Sequence, residues 1–147
     1  MHEEIVNRNK NINRGYRKLE VWKEAVNLYV MVRNEIRNLK KVPIKIKAQV
    51  EDSAFSSSSN IAEGYSRRGL KENIQFNTIA LASLSENYTQ IFALHEAGDI
   101  DKLWFDQYDA LHYSLENKLL KMNKTLIEKI GKNDCKDDYN IRTSAEY

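Results

Sequence analysis

The chain has 147 residues, 41% of them hydrophobic and 30% charged, and its formal net charge is +2. This length suits one domain that can bury a core without metal or disulfide staples, and the single cysteine, Cys135, excludes a disulfide within the chain. No apolar run approaches the ~20 residues that span a bilayer, and the polar residues 1–14 contain no signal-peptide core, so we expect a cytoplasmic protein without a membrane partner.

Four segments follow in which apolar residues recur at three- and four-residue spacing, the pattern of amphipathic helices. Pro43 ends the first helix because it lacks an N–H group, and Gly98 and Gly131 end the third and the fourth. The predicted helices cover residues 17–41, 44–65, 70–97 and 100–130. We predict an all-α fold with a flexible segment over 1–15, an antiparallel up-down-up-down four-helix bundle over 16–131 and a polar, disordered tail over 132–147.

The most distinctive stretch is the block Asn60-Ile61-Ala62-Glu63-Gly64 at the end of the second helix. One interpretation is a buried polar latch, in which Asn60 bonds a neighbouring helix, Glu63 pairs with Arg67 and Gly64 serves the helix end. The other interpretation is a surface for a protein partner or a nucleic acid. The latch is favoured, since buried polar groups often fix the register of helical bundles.

Positive charge is concentrated in the first third of the chain, where residues 1–50 carry a net charge of +7. Four cations lie on one strip of the predicted first helix, and two more follow the second helix. We interpret these six residues as candidate phosphate contacts, which position a nucleic acid without reading its sequence. They are Arg33, Arg37, Lys40, Lys41, Arg67 and Arg68. The alternative is an ordinary solvated flank.

Residue types that commonly carry catalysis are isolated in this sequence. Asp109 and His112 have the carboxylate–histidine spacing of di-iron bundles, but the second motif that such sites need is absent. Neither a Gly-x-Ser-x-Gly motif nor a glycine-rich phosphate loop occurs. We therefore predict no catalytic residue, no metal site and no cofactor. His95 and the aromatic residues on the apolar stripes are assigned to the core, namely Trp22, Tyr29, Tyr88, Trp104 and Tyr108.

The central block extends into a longer signature, Ser56-Ser-Ser-Ser-Asn-Ile-Ala-Glu-Gly-Tyr-Ser-Arg-Arg68, followed by Lys71-Glu-Asn-Ile-Gln-Phe76. Ala82-Ser-Leu-Ser-Glu86 and the opening Tyr16-Arg-Lys-Leu-Glu-Val-Trp-Lys-Glu-Ala25 accompany it. Together these segments resemble the four-helix-bundle family of proteins encoded in intervening sequences of bacterial 23S rRNA genes, also labelled S23 ribosomal protein. The resemblance covers residues 16–130, and it places Glu51 and Asp52 where the family usually carries a basic pair.

The resemblance implies a helical bundle without enzymatic activity that assembles into a ring-like homo-oligomer, with a pentamer as the expected form. A related bundle serves as the accessory protein of a retroelement reverse transcriptase, where it binds nucleic acid and the polymerase. Two functions follow as hypotheses. The first is an oligomeric scaffold that binds RNA or another nucleic acid, and the second is an accessory subunit that binds a protein such as a polymerase or a defence protein. The acidic pair Glu51 and Asp52 favours the second.

Overall fold

The computed structural model describes residues 3–67 and 69–132, and within these ranges the secondary structure is entirely helical. Two short elements come first, the helix α1 (Glu3–Asn7) and a 3₁₀ helix (Ile12–Lys18). Four long helices follow: α2 (Glu20–Asn38), α3 (Ile44–Ser66), α4 (Leu70–Glu96) and α5 (Lys102–Lys132). The all-α prediction is therefore confirmed.

The helix boundaries differ from the predicted ones mainly at both ends of α2. The 3₁₀ helix takes up Arg17 and Lys18, so α2 begins at Glu20, and it ends at Asn38 rather than at residue 41. The prediction that Lys40 and Lys41 continue the helical strip of Arg33 and Arg37 is wrong, since both lysines lie in the connection to α3.

Of the two glycines predicted to end helices, Gly98 ends α4 and Gly131 does not end α5. Gly98 has φ +85° and its N–H donates to His95 O at 2.9 Å, which confirms it as the residue that closes α4. Gly131 lies inside α5, which continues to Lys132. The predicted tail lies outside the described residues except for Lys132. No described helix combines the length and the apolar character that crossing a membrane requires.

The four long helices enclose one hydrophobic core. α2 and α4 each pack against both α3 and α5, and the 3₁₀ helix packs against α2 and α3. The largest fully buried side chains come from all four helices and include Leu28, Ile36, Ile61, Leu84, Tyr108 and Leu119. Each fully buried aliphatic side chain stabilises the fold by roughly 1.5–3 kcal/mol relative to leaving it exposed.

The assignment of the five stripe aromatics to the core is confirmed. Tyr108 is fully buried, and the other four are partly buried and pack against the core. His95 is also satisfied, because its Nδ1 lies 2.8 Å from the carbonyl oxygen of Ile100 and its ring stacks on Phe105.

The α3–α4 contact is made by small side chains. Ser53, Ala54, Ser57 and Gly64 on α3 are all buried. The serine hydroxyls donate to carbonyl groups one turn earlier in their own helix, as Ser57 does to Ala54 O at 2.8 Å. The hydroxyl group of Ser57 is thereby satisfied within its own helix, and the small side chains let α4 approach α3 closely.

A buried polar cluster joins α3, α4 and α5. Asn87 of α4 donates to Val50 O and to Ser53 Oγ of α3, both at 3.0 Å. Its own Oδ1 accepts a hydrogen bond of 2.7 Å from the hydroxyl group of Tyr108 on α5. A mismatch in register would leave these buried groups unpaired at a cost of about 1–3 kcal/mol each, so the cluster helps to fix how the three helices align.

Candidate nucleic-acid interface

Five cations surround the connection between α2 and α3, a surface that we call the basic corner. Its members are Arg37, Lys40, Lys41, Lys45 and Lys47. Four of them are exposed and Lys47 is half-buried. The segment 37–47 contains no acidic residue. Val42, between the cations, is buried in the core and so anchors the connection. The basic corner is therefore a fixed, concentrated patch of positive charge.

The charges of the basic corner are not neutralised within the described part of the chain. None of the five side chains forms an ion pair or a hydrogen bond there. This distinguishes them from the other exposed cations, several of which pair with carboxylates. Unpaired cations in a cluster are the groups that gain most from a phosphate partner.

Arg33 is separated from the basic corner by its contacts. Its Nη1 donates to the hydroxyl group of Tyr29 at 2.6 Å, and its guanidinium lies 5.9 Å from the centre of the Tyr29 ring. The hydrogen bond to Tyr29 is the main cause that raises the pKa of Arg33, and the carboxylate of Glu51 adds to it. Arg33, predicted as a phosphate contact, is therefore already bonded to Tyr29.

Arg67 is still more strongly engaged. Its Nη2 lies 2.7 Å from Glu63 Oε1, its Nη1 lies 4.0 Å from Glu72 Oε1, and its guanidinium lies over the ring of Phe76. The predicted pairing of Glu63 with Arg67 is confirmed. Arg68 lies outside the described residues. The structure therefore leaves Arg37, Lys40 and Lys41 as the predicted contacts that stand free, and it adds Lys45 and Lys47 to them.

The block Asn60–Gly64 forms part of the α3–α4 contact. The prediction that Asn60 bonds a neighbouring helix is wrong: its Nδ2 donates to Ser56 O at 2.8 Å and to Ser56 Oγ at 2.9 Å, within α3. Ser56 makes the link instead, since its Oγ lies 2.9 Å from Ser83 Oγ on α4. Ser56, one turn before Asn60, is thus the residue that reaches α4, and Asn60 contributes only through its hydrogen bonds to Ser56.

Gly64 also differs from its predicted role at the helix end. A Cβ atom at this position would lie 2.6 Å from Phe76 Cβ and 3.2 Å from the backbone oxygen of Asn73. Glycine is therefore required for the close approach of α4. Of the other motif residues, Ile61 is buried in the core and Ala62 is half-buried. Glu86 is exposed and accepts a long hydrogen bond of 3.4 Å from Gln90.

Acidic residues flank the basic corner on two sides. Asp52 is exposed and Glu51 half-buried, one turn beyond Lys47 on α3. On α2, burial raises the pKa of Glu35, and the nearby charge of Asp101 raises it further. The start of α5 therefore lies close to the end of α2. Acidic residues therefore border the basic corner on both α2 and α3.

α5 exposes three large apolar side chains on its outer face, which the sequence patterns did not predict. Tyr113, Leu120 and Ile127 recur every seven residues and are 66%, 55% and 57% exposed. Residues seven apart lie on one face of a helix, so the three form a stripe beside the buried one. We call it the outer stripe. The seven-residue spacing of these apolar residues is visible in the sequence. It is hard to recognise there because the same helix carries a longer apolar stripe that faces the core.

The histidine–carboxylate motif of α5 is structural. His112 is buried, with Nε2 2.8 Å from Leu84 O and Nδ1 2.8 Å from Glu116 Oε1. Asp109 lies near Tyr88: burial raises the pKa of Tyr88, and Asp109 raises it further. Within residues 3–67 and 69–132, no group of three or more potential ligands lies together in a way that could hold a metal ion.

Comparisons with known proteins support a relationship over most of the chain. A family model described as "23S rRNA-intervening sequence protein" matches residues 17–122, which begin in the 3₁₀ helix and end in α5. No curated protein matches the chain. The matched range contains the whole of the basic corner and the block Asn60–Gly64, and it leaves α1 outside.

Proposed function

The chain belongs to the 23S rRNA-intervening sequence protein family, and from this premise we propose that it is a non-enzymatic, homo-oligomeric scaffold that contacts RNA or another nucleic acid through the basic corner. The observation that carries the proposal is the set of five unpaired cations at residues 37–47. Phosphate contacts of this kind supply affinity and register rather than sequence specificity. We assign this action to the cytoplasm, which suits a chain with a single cysteine.

The proposed architecture is an antiparallel up-down-up-down four-helix bundle. Contacts between α3 and α4 support opposite directions, because residues later in α3 meet residues earlier in α4: Ser53 bonds Gln90, Ser56 bonds Ser83, and Gly64 meets Asn73. α2 and α5 are joined at Glu24, which pairs with Lys118 and accepts from Ser114. The short connections between the long helices agree with this topology.

The homo-oligomer is supported by the outer stripe of α5. An exposed heptad repeat of large apolar side chains is the usual seam of a helix–helix interface. We propose that a second copy of this chain covers the stripe and that five copies form a closed ring. A ring would repeat the basic corner around its axis, so weak contacts with one nucleic acid would combine into stronger binding.

The test compares two triple variants that change the charge equally. Arg37→Gln/Lys40→Gln/Lys41→Gln removes part of the basic corner, and Lys121→Gln/Lys124→Gln/Lys129→Gln removes three exposed lysines of α5. Affinity for a fluorescent single-stranded RNA is measured by anisotropy at salt concentrations between about 50 and 300 mM. The intact protein is expected to lose at least about tenfold in affinity over this range.

The corner variant is expected to bind at least about fivefold more weakly at low salt, with a log–log salt slope that is shallower by about 2. The α5 variant is expected to bind like the intact protein. Affinity that does not change with salt, or an equal loss in both variants, would contradict the proposal.

A second candidate function is an accessory subunit that binds a protein partner, for example a reverse transcriptase or a defence protein, without touching nucleic acid. The acidic pair Glu51 and Asp52 favours it, because these carboxylates would repel a nucleic acid that extends along α3 from the basic corner. Affinity purification with and without nuclease separates the two functions. A partner protein that stays bound after nuclease treatment supports the accessory subunit, and a partner that is released supports the scaffold.

A further inference from the structure

A second basic site lies at the opposite end of α2, in a cavity of about 170 Å³ between α1, the 3₁₀ helix and the first turn of α2. Five of the eight lining residues are cations and none is acidic. The cations are Lys10, Arg14, Arg17, Lys18 and Lys23. Because a concave wall concentrates the potential of the charges around it, this cavity attracts anions more strongly than a flat patch with the same charge.

Arg17 joins the elements that line the cavity through three hydrogen bonds. Its Nη2 donates to Arg8 O at 2.6 Å and to Asn9 O at 3.4 Å, and its Nη1 donates to Ile5 O at 3.3 Å. These bonds tie α1 and the segment after it to the 3₁₀ helix. All three acceptors are neutral carbonyl groups, so the positive charge of Arg17 is not cancelled.

One donor of Arg17 is left over. Its Nε is buried and has no hydrogen-bond partner within the described chain. A buried donor without a partner costs about 1–3 kcal/mol, so an acceptor that enters the cavity and reaches it would recover that energy. The unpaired Nε is a separate observation from the five cations, and both favour a ligand with several acceptor oxygens.

Arg14 and Lys23 keep their positive charge available to a ligand. Arg14 Nη1 donates to the carbonyl oxygen of Asn9 at 3.3 Å, again a neutral acceptor. Lys23 pairs with Glu20, whose carboxylate lies 3.6 Å from Lys23 Nζ and is 68% exposed. An exposed pair of this kind contributes at most about 1 kcal/mol, so it competes weakly with a doubly charged ligand.

We propose that this basic cavity binds a phosphomonoester. A phosphomonoester carries close to two negative charges at neutral pH and three strong acceptor oxygens, which match the cations and the unpaired Nε. One water needs about 10–15 Å³ of such a cavity, so its volume of about 170 Å³ holds a phosphate group together with several waters. A concave, partly open site suits a terminal phosphate better than an internal phosphodiester, from which the chain must leave on both sides.

The site goes beyond the proposed function, because α1, Lys10 and Arg14 lie outside the residues that match the family. It rests on the proposed function only for the source of the phosphate. That source is either the 5′ end of the RNA that the scaffold contacts or a free nucleotide.

The test uses the full chain and two RNA oligonucleotides of the same sequence, one with a 5′-phosphate and one with a 5′-hydroxyl group. The variant Lys10→Gln/Arg14→Gln removes two cavity cations, and Lys121→Gln/Lys124→Gln is the control with the same charge change. Lys10→Gln alone serves as a milder variant, since Lys10 forms no hydrogen bond or ion pair in the described chain. Circular dichroism checks that each variant is folded.

The intact protein and the control are expected to bind the 5′-phosphorylated RNA at least about fivefold more tightly, as charge-assisted hydrogen bonds are the strong ones. The double variant is expected to bind both RNAs equally, and Lys10→Gln to lose part of the preference. Equal binding of both RNAs by the intact protein overturns the cavity proposal and leaves the basic corner unaffected. A preference that survives in the double variant also overturns it.

Calorimetry with adenosine monophosphate and with inorganic phosphate separates the two sources. If the nucleotide binds as tightly as the phosphorylated RNA, and binding is lost in the double variant, the cavity proposal is supported and the ligand is a free nucleotide. If the protein binds adenosine monophosphate but no RNA at all, the cavity is again supported and the proposed function fails. Absence of binding to the nucleotide, to phosphate and to phosphorylated RNA overturns the cavity proposal.

Discussion

At the scale of single residues, Gly64 is under a tight steric constraint. The backbone oxygen of Asn73 and the Cβ of Phe76 occupy the space that any side chain at Gly64 would need. Neither atom is the end of a flexible chain, so α4 itself would have to move. The polar side chain of Asn73 is buried here without a hydrogen-bond partner in the described chain, which leaves little tolerance for a further change.

We expect Gly64→Ala to destabilise the fold by about 1–3 kcal/mol, the usual cost of overpacking a close contact. Gly131→Ala is the matched control, because nothing lies within 4 Å of its added Cβ and the residue is helical. The control is expected to be neutral or to stabilise the fold by up to about 1 kcal/mol, since alanine loses less backbone entropy. Urea denaturation measures both, and equal stability of the two variants would show that α3 and α4 are not in close contact at Gly64.

At the scale of the helices, sequence periodicity located the four long elements but not their functional faces. The spacing of apolar residues placed α3, α4 and α5 within two residues of their observed ends. It failed at the ends of α2, where the 3₁₀ helix and the buried Val42 depend on packing against other elements. It also put Lys40 and Lys41 on a helix, although the basic corner comes from the connection. The bond from Ser56 to Ser83 could not be predicted, because periodicity does not say which short side chain faces α4.

The outer stripe of α5 gives the prediction that belongs to this scale. We expect Leu120→Gln/Ile127→Gln to dissociate the oligomer without unfolding the chain, because both side chains are more than half exposed in the single protomer. The control is Lys121→Gln/Lys124→Gln. Light scattering should give ~86 kDa for five 17.2 kDa chains of the intact protein and of the control, and a lower mass for the stripe variant. A monomeric mass for the intact protein would contradict the assembly.

At the scale of the whole molecule, the net charge of +2 conceals two separate basic sites. The basic corner follows α2, and the basic cavity precedes it, so the two are separated by roughly 28 Å along this 19-residue helix. The concentration of positive charge in residues 1–50 was visible in the sequence. The division of this charge into an exposed corner and a concave cavity was not visible, because the cavity depends on how residues 5–9 fold back onto Arg17. Contacts at both sites would let one nucleic acid bind along α2.

The most direct test of the central claim is ultraviolet crosslinking of the intact protein to a single-stranded RNA, with the crosslinked peptides identified by mass spectrometry. Contact through the basic corner predicts that the crosslinks concentrate on peptides containing residues 37–47 and disappear when salt is raised to about 300 mM. Crosslinks that concentrate on the outer face of α5, or the absence of any salt-sensitive crosslink to residues 37–47, would contradict it.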